Sequence, residues 1–396
     1  MLHSVLRRPH LRTARGRPRL PAPGTVREAR LRRFGHVDTA TLVERLIGAA
    51  VLAIAVLAPL IFTDFFTHTL LVEVYWRGIA AASLIFLFAY GGMVSLAQVS
   101  LYGIAGFVLG NAVTTGAAKG EHFGLSPWLG VVLAIVFTSV VGLMVGALAS
   151  RSFGIYFLML TLTVAVLFYY FFQGVTIFGG FSGVSGIQQH TPGVIGNPNI
   201  HPNRLYYVAL VTSVLVYVLI RYVIRTPFGI ALQGIRDDPL RMSSLGYNVV
   251  LHRMLAFTFG AFVASLSGIL FVWWNDHVDF ASIDLSAVID LLVIAVIGGL
   301  SRLEGAWLGA LVFVIVNDYL RNVPGLGHVG ISAERFHTAI GIVFLLIVLL
   351  SPNGLMGIWD KVRMRLWGAP SPAVEGAAQV TQSDVESFPT VEEAGP

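Results

Sequence analysis

Residues 126–149 read SPWLGVVLAIVFTSVVGLMVGALA. No Asp, Glu, Lys, Arg or His interrupts them. A helix that crosses the hydrocarbon core needs about 20 mostly apolar residues, and this run supplies them. The pattern recurs on both sides. Ten apolar segments lie at approximately 46–62, 76–94, 97–115, 126–149, 154–173, 205–224, 251–274, 284–300, 305–320 and 336–351. Several are short or broken by Gly, so one continuous helix and two half-helices read alike. The whole chain of 396 residues is 56% apolar and 12% charged, about half the charge of a soluble domain. A soluble enzyme, a disordered chain and a fibrous repeat are excluded. The predicted fold is an all-α polytopic membrane protein with about ten transmembrane segments, some broken or re-entrant.

Three regions follow from composition. Residues 1–42 hold ten Arg among Pro and small residues, without apolar period, and read as a disordered cytoplasmic arm. Residues 43–360 form the transmembrane domain. Residues 361–396 form a cytoplasmic tail, acidic and disordered from 369 onward. The net charge of +5 does not indicate a nucleic-acid partner, because the basic residues concentrate in the arm. The arm is suited to anionic membrane lipid, at about 1 kcal/mol per basic residue near the surface. Ten spans put both ends on one side. With that side cytoplasmic, 21 of the 26 Lys and Arg fall on it, which predicts an N-in, C-in orientation.

The missing chemistry narrows the function. The chain has no Cys, so disulfides, thiolate catalysis and cysteine-ligated metals are excluded. No GxxxxGK[ST] is present, and the two Lys, Lys119 and Lys361, are not placed for one. ATP is therefore not bound here through a P-loop. No HExxH and no His pair with metal spacing occurs, so no metal site is expected. Catalytic residues are likewise not expected. Few ionisable residues lie within the segments, which disfavours an ion-coupled carrier.

Three stretches carry the candidate sites. The loop 225–250 includes Phe228, Gly229, Arg236, Asp237, Asp238, Arg241 and Gly246. Thr226-Pro227 and Asp238-Pro239 each start a short helix, with a capping residue and Pro at the first position. Gly246 ends the second. Two amphipathic helices at the membrane face fit a groove on a partner; a solvated connector is the plainer reading. The second stretch is Tyr90–Phe107, where Ser95, Gln98 and Ser100 sit at a break between segments. Polar groups there face protein or a water-filled path, so tight packing and a lining of the path are both open. Thr161 and Asp290, the latter about one turn inside its segment, are further path candidates. The third is Gly298–Ala310, a turn around Arg302 and Glu304. Gly91, Gly103, Gly298, Gly299, Gly305 and Gly309 are expected at close helix contacts.

Six short patterns, in order, resemble the permease family of branched-chain amino-acid ABC transporters, in particular its LivM-type branch. They are Ser95-Leu96 with Gly103 and Gly106; Arg151 through Phe157 with Thr161-Leu162; Gly179-Gly180 through Gly186-Ile187; Phe228-Gly229, Ile235-Arg236 and Leu245-Gly246; Gly298-Gly299, Gly305 and Gly309-Ala310; and Ser351 through Leu355. The resemblance covers roughly 76–357. Departures include Ala97 for Gly, Ile230 for Arg, Ser301 for Gly and Ala306 for Pro. The resemblance implies a transport subunit of the bacterial plasma (inner) membrane that catalyses no reaction. It implies a LivH-type permease partner, cytoplasmic ATPase subunits that hold ATP and Mg, and an extracytoplasmic solute-binding protein. The implied solute is a branched-chain amino acid, although the branch also serves urea, short amides and organic acids. A stand-alone channel or carrier for a small neutral solute such as urea is the competing reading.

Overall fold

The structure is a computed structural model, and it describes residues 48–60, 66–114, 123–176, 179–198, 200, 202–322, 341, 345 and 354–357. The expected arm 1–42, the tail 361–396 and nearly all of the segment 336–351 lie outside the described residues. Helices dominate: α1 (Gly48–Leu60), α2 (Val72–Gly91), α3 (Gln98–Val113), α4 (Pro127–Ala149), α5 (Ile155–Gly174), α6 (Pro202–Arg225), α7 (Pro227–Asp237), α8 (Pro239–Ser244), α9 (Val249–Asn275), α10 (Leu285–Gly298) and α11 (Gly305–Asn322). The first nine apolar segments each coincide with a helix. Five helices among the described residues are long and apolar enough to cross a membrane: α2 with the turn before it, α4, α5, α6 and α9. α1, α3, α10 and α11 are shorter apolar helices.

The second segment starts earlier than its apolar run. A π-helical turn, Phe66–Leu71, leads directly into α2. Glu73 and Arg77, which interrupt the apolar pattern, pair at 2.7 Å one turn apart. The Arg77 guanidinium also lies 4.8 Å from the Trp76 ring and 5.2 Å from Phe313. Paired in this way, both charges are tolerated inside a long apolar helix.

α2, α3 and α9 form the centre. The apolar window of α2 is 89% buried, against 28% in each of α4, α5 and α6. α9 packs on α2, α3 and α4, and α11 joins α2 to α10. Small residues allow these approaches. A Cβ at Gly309 would collide with the Ile294 carbonyl, and one at Gly298 with the Gly305 carbonyl. α10 and α11 therefore touch backbone to backbone. Gly354 packs as tightly against Gly299, 2.5 Å from its N at the Cβ position. Gly103 faces Ile283, and a Cβ at Gly91 would lie 2.8 Å from Met93 Cε.

At the end of the bundle away from α7, a loop folds over α3. β1 (Val184–Ser185) pairs antiparallel with β2 (His277–Val278). The Gln188 amide group donates to the Trp273 and Trp274 carbonyls at 3.0 and 3.1 Å, satisfying the last turn of α9. The Gln188 backbone N–H donates to Asp276 Oδ1 at 2.7 Å.

Candidate functional site

The loop 225–250 folds into α7 and α8. Thr226 caps α7, its Oγ1 accepting the Gly229 N–H at 3.4 Å. Asp238 caps α8, accepting the Arg241 N–H at 3.0 Å. Pro227 and Pro239 occupy the first helical positions, where a missing N–H leaves nothing unpaired. Gly229 is buried where α7 crosses the end of α6, its Cβ position 2.6 Å from the Ile224 Cα. Gly246 has φ +89° and ends the hairpin. Ala231, Leu232 and Ile235 face inward and are buried, whereas Ile230, Leu240, Leu245 and Tyr247 are exposed. Phe228 stacks on His252 at 5.7 Å.

Arg236 turns inward. Its guanidinium donates to the Ala89 carbonyl in the last turn of α2, and its Nε bonds Asp237 Oδ1 at 2.8 Å. A cation on the last carbonyls of a helix also complements the helix dipole. Its alkyl chain lies against Gly92, whose φ of +64° reverses the chain after α2. Arg236 thus ties the surface hairpin to a core helix. Asp237, Asp238 and Arg241 stay exposed.

A second anchor lies close by in sequence. Arg253, at the start of α9, is 3% exposed. It donates to the Ser150 carbonyl at 3.0 Å and stacks over Phe153 and Phe157 at 4.2 and 5.3 Å. Glu304, in the Gly298–Ala310 turn, binds Arg221 and accepts from the Tyr217 hydroxyl at 2.8 Å. Neither arrangement was evident from local spacing, because the partners lie far apart in sequence.

The break between α2 and α3 gathers the polar candidates. Ser95, Gln98, Ser100 and Thr161 are all fully buried. Ser95 Oγ accepts the Ala97 N–H at 3.3 Å. Thr161 Oγ1 of α5 accepts the Leu96 N–H at 3.2 Å and donates to the Leu158 carbonyl at 2.9 Å. Ser100 donates to the Ala165 carbonyl at 3.4 Å. Ser83 of α2, which sequence reading passed over as part of an apolar run, lies 3.1 Å from Gln98 Oε1. Asp290 stands half-buried on α10.

A mainly helical apolar bundle with a capped helical hairpin tied to its core is the architecture of a multi-pass membrane protein. The chain belongs to the family described as the permease component of the branched-chain amino-acid transport system, which it matches over residues 66–350. It is 25% identical to the "Probable branched-chain amino acid transport permease protein LivM" of Methanocaldococcus jannaschii over 303 residues, 70% of this chain and 84% of that protein. It is 25% identical to the "High-affinity branched-chain amino acid transport system permease protein LivM" of Salmonella typhimurium over 346 residues, 81% of this chain and 76% of that protein. A LivH protein of Methanocaldococcus jannaschii is 26% identical over 148 residues, 36% of this chain and 45% of that protein. The relatives that span most of the chain are thus of the LivM type. No solved structure matches.

Proposed function

We propose that this chain is the LivM-type subunit of an ATP-driven importer in the bacterial plasma membrane, moving a branched-chain or related amino acid inward. Its partners in this reading are a LivH-type permease, cytoplasmic ATPases that hold ATP and Mg, and an extracytoplasmic solute-binding protein. The observation that carries the reading is the anchored hairpin. α8 and the residue after it offer Leu240 and Leu245 to a partner, while α7 is bonded through Arg236 to the end of α2. A push on α8 by a closing ATPase therefore passes into the most buried long helix of the bundle. That helix ends at the break holding Ser95, Gln98, Ser100 and Thr161, the candidate path, with Asp290 further along. Arg151, Arg221, Arg225, Arg236, Arg241, Arg253 and Arg302 belong to the hairpin side in the orientation that places both termini in the cytoplasm.

Leu240→Asp with Leu245→Asp tests this. The exposed sites tolerate the charge, so insertion and folding stay normal. Solute uptake and ATPase co-purification are expected to be lost together. Full uptake with the ATPase still bound would remove the hairpin from the coupling role.

A further inference from the structure

Arg77 places a cation inside the hydrocarbon layer. α2 ends at Gly91 beside the hairpin, and Arg77 lies about 21 Å from that end at 1.5 Å per residue. The layer is about 30 Å thick, so Arg77 sits within it, in the half away from the hairpin. Its pair with Glu73 occupies one edge of the guanidinium, where Nε donates to Oε1 at 2.7 Å. Among the described residues Arg77 makes no other hydrogen bond. Both terminal amino groups are therefore left without an acceptor.

That edge is not sealed. The Arg77 side chain is 20% exposed, against 7% for Glu73. Open to lipid, an unbonded guanidinium edge is expensive at this depth. Open to a polar path, it is a pair of donors at fixed spacing. The group is also held still. Its Cζ lies 4.8 Å from the centre of the Trp76 ring and 5.2 Å from that of Phe313 on α11. Trp76 is itself buried against Phe271 at 4.9 Å and Tyr102 at 5.9 Å. Ser267 of α9 donates to the Trp76 carbonyl at 2.8 Å. The indole Nε1 of Trp76 is buried and has no hydrogen-bond acceptor, which adds an unused donor on the ring that the guanidinium covers.

We infer that the terminal amino groups of Arg77 form the subsite for the carboxylate of the transported solute, in the half of the membrane from which a binding protein delivers it. Two parallel N–H groups match two carboxylate oxygens. Glu73 orients the fork and offsets its charge. An amino acid is a zwitterion, so its arrival leaves the net charge of the site unchanged. Urea offers the fork one oxygen and no charge. The inference rests on the importer reading above and names the part of the solute that is recognised.

The test uses the importer purified with its partner subunits in proteoliposomes, with its solute-binding protein and radiolabelled leucine at saturation. Subunit composition, thermal unfolding, ATP hydrolysis and uptake are measured for wild type, Arg77→Lys, Arg77→Met and the double variant Arg77→Met with Glu73→Met. Lys keeps the charge and the pair with Glu73 but lacks the fork. The double variant replaces the whole buried pair by apolar side chains, a change that folded proteins often accept. Assembly and ATP hydrolysis are expected to stay near wild type in both, while leucine moved per ATP falls at least about tenfold. Uptake per ATP within about twofold of wild type in either one overturns the subsite and leaves the importer standing. Failure of both to assemble makes the pair structural and overturns it too. Loss of the second permease in Arg77→Met, with assembly and uptake restored in Arg77→Lys, places a partner acid on the fork and also overturns it. A wild-type complex that hydrolyses ATP but moves no leucine overturns the amino-acid reading and this subsite with it.

Discussion

Replacing Arg236 by Met removes a guanidinium from two partners and keeps most of the alkyl chain against Gly92. The bond to the Ala89 carbonyl is charge-assisted and partly buried, worth about 1.5 kcal/mol. The pair with Asp237 has side chains 39% and 65% exposed; solvent screening leaves it about 0.5 kcal/mol. Together the contacts hold α7 on α2 by about 2 kcal/mol, equivalent to about a 30-fold change in an opening equilibrium. Hydrogen–deuterium exchange of α7 amides, read by mass spectrometry on the detergent-solubilised protein, is the assay. Exchange in α7 should quicken by about that factor, while the centre of α9 stays protected. Arg236→Lys should fall between the two, since an ammonium keeps the charge but not the fork. Unchanged α7 exchange in Arg236→Met would refute the anchor and the route from hairpin to core.

Further expectations concern packing and loops. Gly309→Leu should prevent stable folding, because its Cβ already collides with the Ile294 carbonyl; Gly174→Ala, with nothing within 4 Å, should change thermal stability by less than about 1 kcal/mol. Gln188→Ala should cost about 1–2 kcal/mol by exposing two end carbonyls of α9, and should speed protease cleavage within 179–198. A double-mutant cycle of Arg221→Met and Glu304→Gln should give a coupling of about 1 kcal/mol that shrinks at high salt, as both side chains are partly exposed.

Local pattern made most of the helices legible. Runs such as 126–149 and 205–224 coincide with α4 and α6 within three residues, because hydrophobic length alone places a span. The caps of α7 and α8 were equally plain, since Thr226-Pro227 and Asp238-Pro239 act within three residues. The start of α2 was not, because Glu73 and Arg77 cancel each other only once a helix brings them together. Contacts across the bundle were also hidden. Arg236 read as a docking charge, yet its partner at Ala89 lies 147 residues away. Gln98 was legible as a polar residue at a break, whereas its contact with Ser83 depends on α3 packing against α2.

The central claim is that this chain works inside an importer powered by other subunits. The most direct measurement is a mild-detergent pull-down of the tagged protein from native membranes, with mass spectrometry of what accompanies it. A P-loop ATPase and a second permease are expected in fixed ratio to this chain. Recovery of this chain alone, under conditions that hold a known ABC importer together, would contradict it.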